Sequence, residues 1–502
     1  MTVSGWTAES DARHDSVAAS RWRQAALVAL LVLFAFAGQG ERALWEPDEG
    51  RYACVALQML RLGDWDTPML NHEVPHFSKP PLTYWLLASS FDLFGSNELA
   101  ARTPNTLAFI ATALLLVWLG RFLAPSSRLL PAIVYATSIF PFVAANIITT
   151  DTLLTLWETL AVAGFVRLWM ERRDDGALLM WLGFGLAFLT KGPPGLLPLL
   201  AILTFAVVHR AVSPRKLFPA EGLLVFFVVA GGWYAQQIYM RPDLLHYLVG
   251  TELVARATSA SLHRNSGAFD WLIYVGVALV AMLPWAPLAL RRVRREGIRP
   301  STDVSWFLAG WLLIPLAVFV VTPSRLPLYV LPLVVPAALL IGRTLPDGIL
   351  ATPRRRAALA LWIVLLVAVR YAGAHYSPED DSRSMARWIR GATRQAPKEV
   401  IFVNMRPAYG LTMYLGAEVE GAALPGWHDD VPRYRPVYES LAHEMSEPDQ
   451  SRRIYVLPAR RIQEFERAIH GAGLEPVVLG SHEELLFVDA RRREKQVKGQ
   501  RS

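Results

Sequence analysis

Cysteine and charged residues are both scarce in this chain of 502 residues. Its single cysteine, Cys54, excludes an intramolecular disulfide and a cysteine-based metal site. Charged residues make up 19% of the chain, below the roughly 25% typical of soluble proteins, while 53% are hydrophobic and the mean hydropathy is +0.29. The net charge of +7 could suggest nucleic acid, but the basic residues lie in short loops between apolar runs. The composition therefore predicts a membrane protein without a nucleic-acid partner.

Apolar runs follow one another over residues 24–373 and predict a multi-pass α-helical membrane protein with about eleven crossings. Their approximate bounds are 24–40, 106–123, 129–145, 150–169, 177–190, 194–210, 221–238, 269–290, 304–321, 326–343 and 357–373. A shorter run, 82–94, is expected to be re-entrant or to lie along the interface. With the arginine-rich loops in the cytoplasm, residues 1–23 are cytoplasmic and the loop 41–81 lies outside. The first run resembles a signal peptide, but its length favours an uncleaved anchor.

Residues 374–490 show a different pattern, in which short β-branched runs alternate with helix-like segments such as 459–470. The runs lie at 400–403, 454–457, 476–479 and 485–488. They predict a small α/β domain. An odd number of crossings places this domain outside the cytoplasm, followed by a basic tail at 491–502.

The outer loop 41–81 contains a predicted helix that Pro47 can open and Gly63 can close. Its apolar stripe, which is typical of a helix on a membrane surface, consists of Tyr52, Val55, Ala56, Met59 and Leu60. Asp48 and Glu49 occupy its first turn. They either complement the helix dipole, an effect of roughly 0.3–1 kcal/mol, or take part in chemistry.

A second acid, Asp151, lies at the outer end of a predicted crossing, and intramembrane acids are functional candidates by default. Several basic residues are predicted on the same face: Lys79, Lys191, Arg256, His263, Arg264 and Arg325. Each could simply extend to lipid headgroups. Together with the acids they suit a phosphate-bearing substrate, because cations bind phosphate and a carboxylate can accept a proton.

Six segments resemble the C-type glycosyltransferase superfamily, which includes the lipid A aminoarabinose transferases and the protein O-mannosyltransferases. They are EPDEGRY (46–52), RLGDWDTPMLN (61–71), SKPPLTYW (78–85), TTDTLLTLW (149–157), TKGPPGLLP (190–198) and RLPLYVLP (325–332). The resemblance covers residues 20–345. It implies an inverting sugar transfer from undecaprenyl phosphate to an envelope acceptor, such as lipid A or lipopolysaccharide, on the periplasmic face of a bacterial inner membrane.

The resemblance also implies roles for individual residues. Asp48 matches the catalytic aspartate of the family and Asp151 its second acidic position, and Glu49 is a further catalytic candidate beside Asp48. Lys79 matches a phosphate-binding lysine and Tyr329 a tyrosine near the donor phosphate, with Arg256 and Arg325 as further phosphate ligands. The other site candidates are Tyr84, Lys191, Glu252, His263 and Arg264.

Two departures from the aminoarabinose transferases concern metal binding. Ser78 stands where those enzymes have a glutamate, and Leu253 stands where they have a histidine. Because that pair is associated with metal binding in the family, we predict no metal by that route and no cofactor. Three other functions stay open: a protein O-glycosyltransferase, a lipid or sugar transporter, and a non-catalytic receptor or assembly subunit.

Overall fold

The computed structural model describes residues 22, 24–255, 269–297, 302–322, 325–376, 381–424, 439–447, 452–482 and 484–492. Three predicted site residues, Arg256, His263 and Arg264, lie outside these ranges. So do most of the N-terminal segment 1–23 and of the basic tail 491–502.

Helices make up most of the first 375 residues. The α-helices are α1 Gln24–Phe36, α2 Asp48–Leu62, α3 Leu82–Phe94, α4 Glu98–Leu123, α5 Leu130–Thr137, α6 Ile139–Ala144, α7 Thr150–Met170, α8 Asp175–Lys191, α9 Leu197–His209, α10 Pro214–Leu217, α11 Ala220–Phe226, α12 Gly232–Met240, α13 Asp243–His246, α14 Leu272–Ala281, α15 Trp285–Glu296, α16 Asp303–Val321, α17 Val334–Thr344 and α18 Pro353–His375. Two π-helical segments, Phe227–Gly231 and Tyr247–Ala255, and the 3₁₀ turns Pro125–Ser127, Pro193–Leu196 and Pro327–Leu333 connect them.

Within the described residues, 6 helical segments are long and apolar enough to cross a bilayer. They are Glu98–Leu123, Thr150–Met170, Pro214–Met240, Asp303–Val321, Pro327–Thr344 and Pro353–His375. Two predicted crossings are interrupted: the run 129–145 breaks at Ser138, which has extended backbone, and the run 269–290 breaks before Pro284. The chain is thus a helical protein of membrane type, and the count of eleven crossings stays a prediction.

Helix α2 forms where Pro47 and Gly63 predict it, and Gly63 ends it in the left-handed conformation at φ 67°. Its stripe is not on a membrane surface, however. Four of its members are at most 5% exposed, namely Tyr52, Val55, Ala56 and Met59. They share a core with Tyr84 of α3 and with Phe402 and Leu411 from the C-terminal part of the chain. The surface-helix prediction is wrong because a second apolar layer covers the stripe.

The C-terminal region, residues 381–492 where described, contains a six-stranded sheet. Its strands are β1 Glu399–Val403, β2 Glu418–Ala423, β3 Glu439–Ser440, β4 Arg453–Pro458, β5 Leu474–His482 and β6 Leu485–Arg492, and its α-helices are α19 Ser382–Ala392, α20 Leu411–Leu415, α21 Leu441–Ser446 and α22 Ile462–Gly471. The spatial order is β3-β2-β1-β4-β6-β5. The first four strands in this order are parallel to one another, and β6 runs antiparallel to both β4 and β5. All four predicted strands are present, and two more were missed.

Polar contacts connect the C-terminal region to the loop 41–81 and to the start of α4. The Tyr414 hydroxyl accepts a hydrogen bond from the Leu44 backbone N–H (3.1 Å) and donates one to Glu98 Oε1 (2.9 Å). Arg383 pairs with the same Glu98 carboxylate at 2.6 Å, and Arg61 of α2 donates to the Thr412 carbonyl. Helix α2 is therefore held between the helical part of the chain and the C-terminal sheet.

Candidate active site

The first turn of α2 presents a charged pair. Arg51 Nη2 lies 2.6 Å from Asp48 Oδ1, as the spacing of three residues on a helix permits. The Asp48 side chain is 40% exposed, so it can meet a substrate, whereas Arg51 is more enclosed. Sequence reasoning did not select Arg51, although its position relative to Asp48 could have indicated it.

Glu49 points the opposite way, into the protein. It accepts hydrogen bonds from Arg42 Nη1 (2.7 Å) and Nη2 (2.8 Å), and from the backbone N–H of Ile148 (3.0 Å). Arg102, fully buried on α4, lies 3.2 Å away. Burial alone would raise the pKa of Glu49, but the charges of Arg102 and Arg42 and these hydrogen bonds hold it at about 2. The carboxylate joins α2, α4 and the segment before α7.

Three predicted site residues meet where α7 begins and α8 ends. Asp151 lies in the first turn of α7 and forms an ion pair with Lys191, the last residue of α8. Both side chains are less than 10% exposed. The Lys191 ammonium also lies 4.2 Å from the centre of the Tyr329 ring, a cation–π contact. This group combines an acid, a cation and a phenol in a dry environment.

Two tyrosines join this group to the start of α2. Tyr52 packs on Tyr84 with 5.6 Å between ring centres. Tyr52 is an electrostatic neighbour of both Asp48 and Asp151, so both acidic positions lie near this side chain. Tyr84 in turn neighbours Arg51 and Glu252. Sequence reasoning placed Tyr52 only in the apolar stripe, because its period on the helix matches that of the buried residues.

Tyr274 of α14 extends the cluster on the other side. Its electrostatic neighbours are Tyr329, Arg325 and Asp151. Arg325 is 9% exposed and donates from Nη2 to the Val320 carbonyl at 3.2 Å. The cluster therefore runs from Asp48 across Tyr52 to Tyr329 and Arg325. Tyr274 was missed because it lies inside an apolar run with no motif around it.

Two described candidates remain, Lys79 and Glu252, and Glu252 is an electrostatic neighbour of Tyr84. Lys79 is half-buried in the turn that precedes α3, next to Ser78, whose hydroxyl lies 2.6 Å from His76 Nε2. Glu252 accepts a hydrogen bond from the buried Tyr247 hydroxyl at 2.9 Å.

Glu46, in the same motif as Asp48, was not predicted as a site residue. Its Oε1 accepts hydrogen bonds from the Ser382 hydroxyl (2.5 Å) and the Gly410 N–H (2.6 Å), both in the C-terminal region. Gly50 and Gly410 leave the space that this carboxyl group fills, since a Cβ atom at either position would collide with it. Burial raises the pKa of Glu46 to about 7, against the lowering effect of these hydrogen bonds.

An apolar groove of about 370 Å³ opens beside the cluster, between α6 and α14. Its lining includes Phe140, Ile273, Gly276, Val277 and Val280. The groove contains almost no polar surface. Three lining residues, Phe140, Ile273 and Val277, pack in one apolar cluster with Tyr274, so the groove lies beside that tyrosine.

One group within the described ranges has the residue types of a metal site. The ligand atoms of His72, Glu418 and Glu420 lie within 4.8 Å of one another. His72 Nδ1 is 2.6 Å from Glu418 Oε2, and the Asn71 amide donates to Glu420 Oε1 at 2.7 Å. Through these contacts the three side chains form a polar junction between the loop 41–81 and β2. The predicted lack of a metal at Ser78 and Leu253 stays a prediction.

Chemically, the cluster can hold an anion and move a proton. Lys191 and Arg325 offer positive charge, while the phenols of Tyr329 and Tyr274 offer neutral donors. Asp48 is the acid with an exposed side chain that a second substrate can approach.

Known families and solved structures include proteins that are similar to this chain. A family model described as dolichyl-phosphate-mannose-protein mannosyltransferase matches residues 78–234. A structure of ArnT from Cupriavidus metallidurans bound to undecaprenyl phosphate superposes with a TM-score of 0.74 at 19% identity, covering 94% of this chain and 98% of that one. The chain therefore shares the fold of this ArnT structure.

The sequence is also similar to several proteins named as arabinosyl transferases. The undecaprenyl phosphate-alpha-4-amino-4-deoxy-L-arabinose arabinosyl transferase of Edwardsiella ictaluri is 29% identical over 63% of this chain and 58% of its own length. The protein of the same name from Pectobacterium carotovorum is 31% identical over 63% and 57%. The chain spans less than two thirds of the length of these relatives, and the resemblance predicted from its motifs is confirmed.

Proposed function

We propose that the protein is a membrane glycosyltransferase that moves a sugar from a polyprenyl phosphate, such as undecaprenyl phosphate, to an envelope acceptor such as lipid A or lipopolysaccharide. The observation that carries the proposal is the meeting of Asp151, Lys191 and Tyr329 beside an apolar groove, with Asp48 across Tyr52. The names of the relatives and the fold of the ArnT structure support it. We place the site on the periplasmic face of a bacterial inner membrane.

In this proposal the acceptor oxygen attacks the anomeric carbon on the side opposite the phosphate, which inverts that carbon. The bond between the sugar and the phosphate oxygen breaks, and the electron pair stays on the polyprenyl phosphate. Lys79, Lys191, Arg325 and Tyr329 stabilise the charge that develops there. Their preset positions make them most useful in the transition state.

Asp48 binds the acceptor and receives its proton when the acceptor is a hydroxyl group. Arg51 fixes the direction of the Asp48 carboxylate through their 2.6 Å ion pair. When the acceptor is an ionised lipid phosphate, no proton moves and Asp48 positions the acceptor. We assign Glu49 a structural role rather than the catalytic one, because both of its oxygens are already bound.

The test is mass spectrometry of lipid A, lipopolysaccharide core and envelope proteins from a deletion strain carrying the wild-type chain, Asp48→Asn or Asp92→Asn. The Asp92→Asn substitution is the control, because it makes the same chemical change at an exposed position on α3. We expect a sugar-sized mass in the wild-type and Asp92→Asn strains and its loss with Asp48→Asn. An equal sugar signal with Asp48→Asn present in the membrane would rule out the assigned role.

A protein O-glycosyltransferase is the second candidate, because the family model that matches residues 78–234 describes protein mannosyltransferases. The same experiment separates the two functions. The sugar is found on lipid A or core in the first case and on envelope proteins in the second.

A further inference from the structure

A buried tyrosine hydroxyl lies where the apolar groove meets the polar cluster. Tyr274 is 4% exposed, and its hydroxyl oxygen is inaccessible to water. Among the described residues this hydroxyl makes no hydrogen bond of normal geometry, although the Leu326 main chain lies beside it. Burying a hydroxyl without a hydrogen bond is unfavourable, and buried hydroxyls normally have a hydrogen-bond partner. The Tyr274 hydroxyl is therefore a candidate to bind a ligand that accepts a hydrogen bond.

The surroundings of Tyr274 indicate what that partner is. Tyr329, Arg325 and Asp151 are its electrostatic neighbours. The Tyr274 and Tyr329 rings both approach Phe319, with 6.5 Å and 6.3 Å between ring centres. The two phenols thus flank one aromatic side chain near two of the groups that we assign to the donor phosphate.

The helix that carries Tyr274 also forms a wall of the groove. Gly276, Val277 and Val280 follow Tyr274 on α14 and line the apolar space, with no charged residue among the lining. A molecule that satisfies both parts of this wall has a long apolar chain and a hydrogen-bond acceptor at one end. An isoprenoid phosphate has this form.

We propose that Tyr274 is a further donor-binding residue, whose phenolic O–H donates a hydrogen bond to a phosphate oxygen of the polyprenyl phosphate while the isoprenoid chain occupies the groove. The inference rests on the proposed function and deepens it. A neutral phenol binds the anion without adding charge to the membrane interior. The bond strengthens as negative charge grows on the leaving phosphate, because hydrogen bonds to ions are stronger than neutral ones.

The experiment measures the affinity of the purified full chain in detergent for undecaprenyl phosphate and for undecaprenol, which lacks the phosphate. Tyr274→Phe removes one oxygen atom and is expected to weaken undecaprenyl phosphate binding about tenfold, the effect of losing one hydrogen bond to an ion. Undecaprenol binding should stay unchanged, and the thermal unfolding midpoint of the lipid-free protein should not fall, because the variant removes a buried hydroxyl without a partner among the described residues.

Tyr135→Phe is the matched control. Tyr135 is 0% exposed in the helical core, and its hydroxyl likewise makes no hydrogen bond of normal geometry within the described residues. We expect this variant to bind both lipids like the wild type. Equal undecaprenyl phosphate affinity in Tyr274→Phe and wild type would overturn the inference, as would an equal loss for both lipids. If the wild type does not prefer undecaprenyl phosphate over undecaprenol, the proposed function fails as well.

Discussion

Replacing Glu49 by glutamine removes the one carboxylate that faces Arg42 and Arg102 in the buried junction behind α2. The pKa of Glu49 is about 2 in the folded protein against a reference value of 4.5. A difference of this size corresponds to about 3 kcal/mol of folding free energy at neutral pH. It agrees with the roughly 3–5 kcal/mol lost when one partner of a buried ion pair is removed.

The lowered pKa also fixes the direction of the pH dependence. Stability from the ionised Glu49 is fully present above the unfolded pKa near 4.5 and is lost as the pH falls through about 2. The wild type should therefore exceed Glu49→Gln by about 3 kcal/mol in free energy of unfolding at pH 7. This excess should shrink steadily below a pH of about 4.

Equilibrium unfolding in mixed micelles, followed by tryptophan fluorescence at several pH values, measures this difference. Glu171→Gln is the control, because Glu171 forms a 3.9 Å pair with Arg167 at a partly exposed site. That change should cost less than about 1 kcal/mol. The reasoning is refuted if Glu49→Gln costs as little as the control, or if its cost does not vary between pH 7 and pH 3.

Three further predictions concern other parts of the molecule. Lys191→Met should lower the free energy of unfolding by about 3–5 kcal/mol, because it leaves Asp151 buried without its partner. The double variant Asp151→Leu with Lys191→Met should regain most of that stability but transfer no sugar. Thermal unfolding measures the stability of both variants, and the transfer assay measures their activity. The raised pKa of Glu46, about 7, means that its stabilising protonated form is fully present below about 4.5 and lost as the pH rises through 7, so Glu46→Gln should unfold at a higher temperature than the wild type at pH 8 but not at pH 5. An impermeant maleimide added to intact spheroplasts should label Ser96→Cys and spare Ser126→Cys, since both positions are exposed but lie in loops predicted on opposite sides; the reverse pattern would overturn the predicted topology.

The sequence predicted those parts of the fold whose signal is local. Helix α2 is bounded by a proline and a glycine, and four strands are β-branched runs, so each could be recognised from a few neighbouring residues. Strand β2 was missed because Glu418 and Glu420 alternate with small or apolar residues, and its pairing with β1 is not encoded nearby. Part of the apolar layer that buries the α2 stripe, including Phe402 and Leu411, lies more than 300 positions away in the sequence, so no local pattern reveals it.

The candidate site was predictable where a motif carried it. Asp48, Asp151 and Tyr329 all stood in segments that resemble a known family, and the structure places them in one cluster. Tyr52 and Tyr274 were not found, because a tyrosine in an apolar run has the pattern of a core residue. Their importance depends on which charges lie beside them, and only the folded chain brings those charges together.

In the reaction that we propose, the ion pair between Asp151 and Lys191 has a consequence for turnover. An incoming phosphate does not meet an empty ammonium group, because it must share Lys191 with a carboxylate that is already in place. Binding therefore exchanges one anion for another, and the same carboxylate is ready to reclaim the ammonium when the reaction ends. A site built this way holds its spent lipid carrier less tightly than an unpaired lysine would, which favours release and the next cycle.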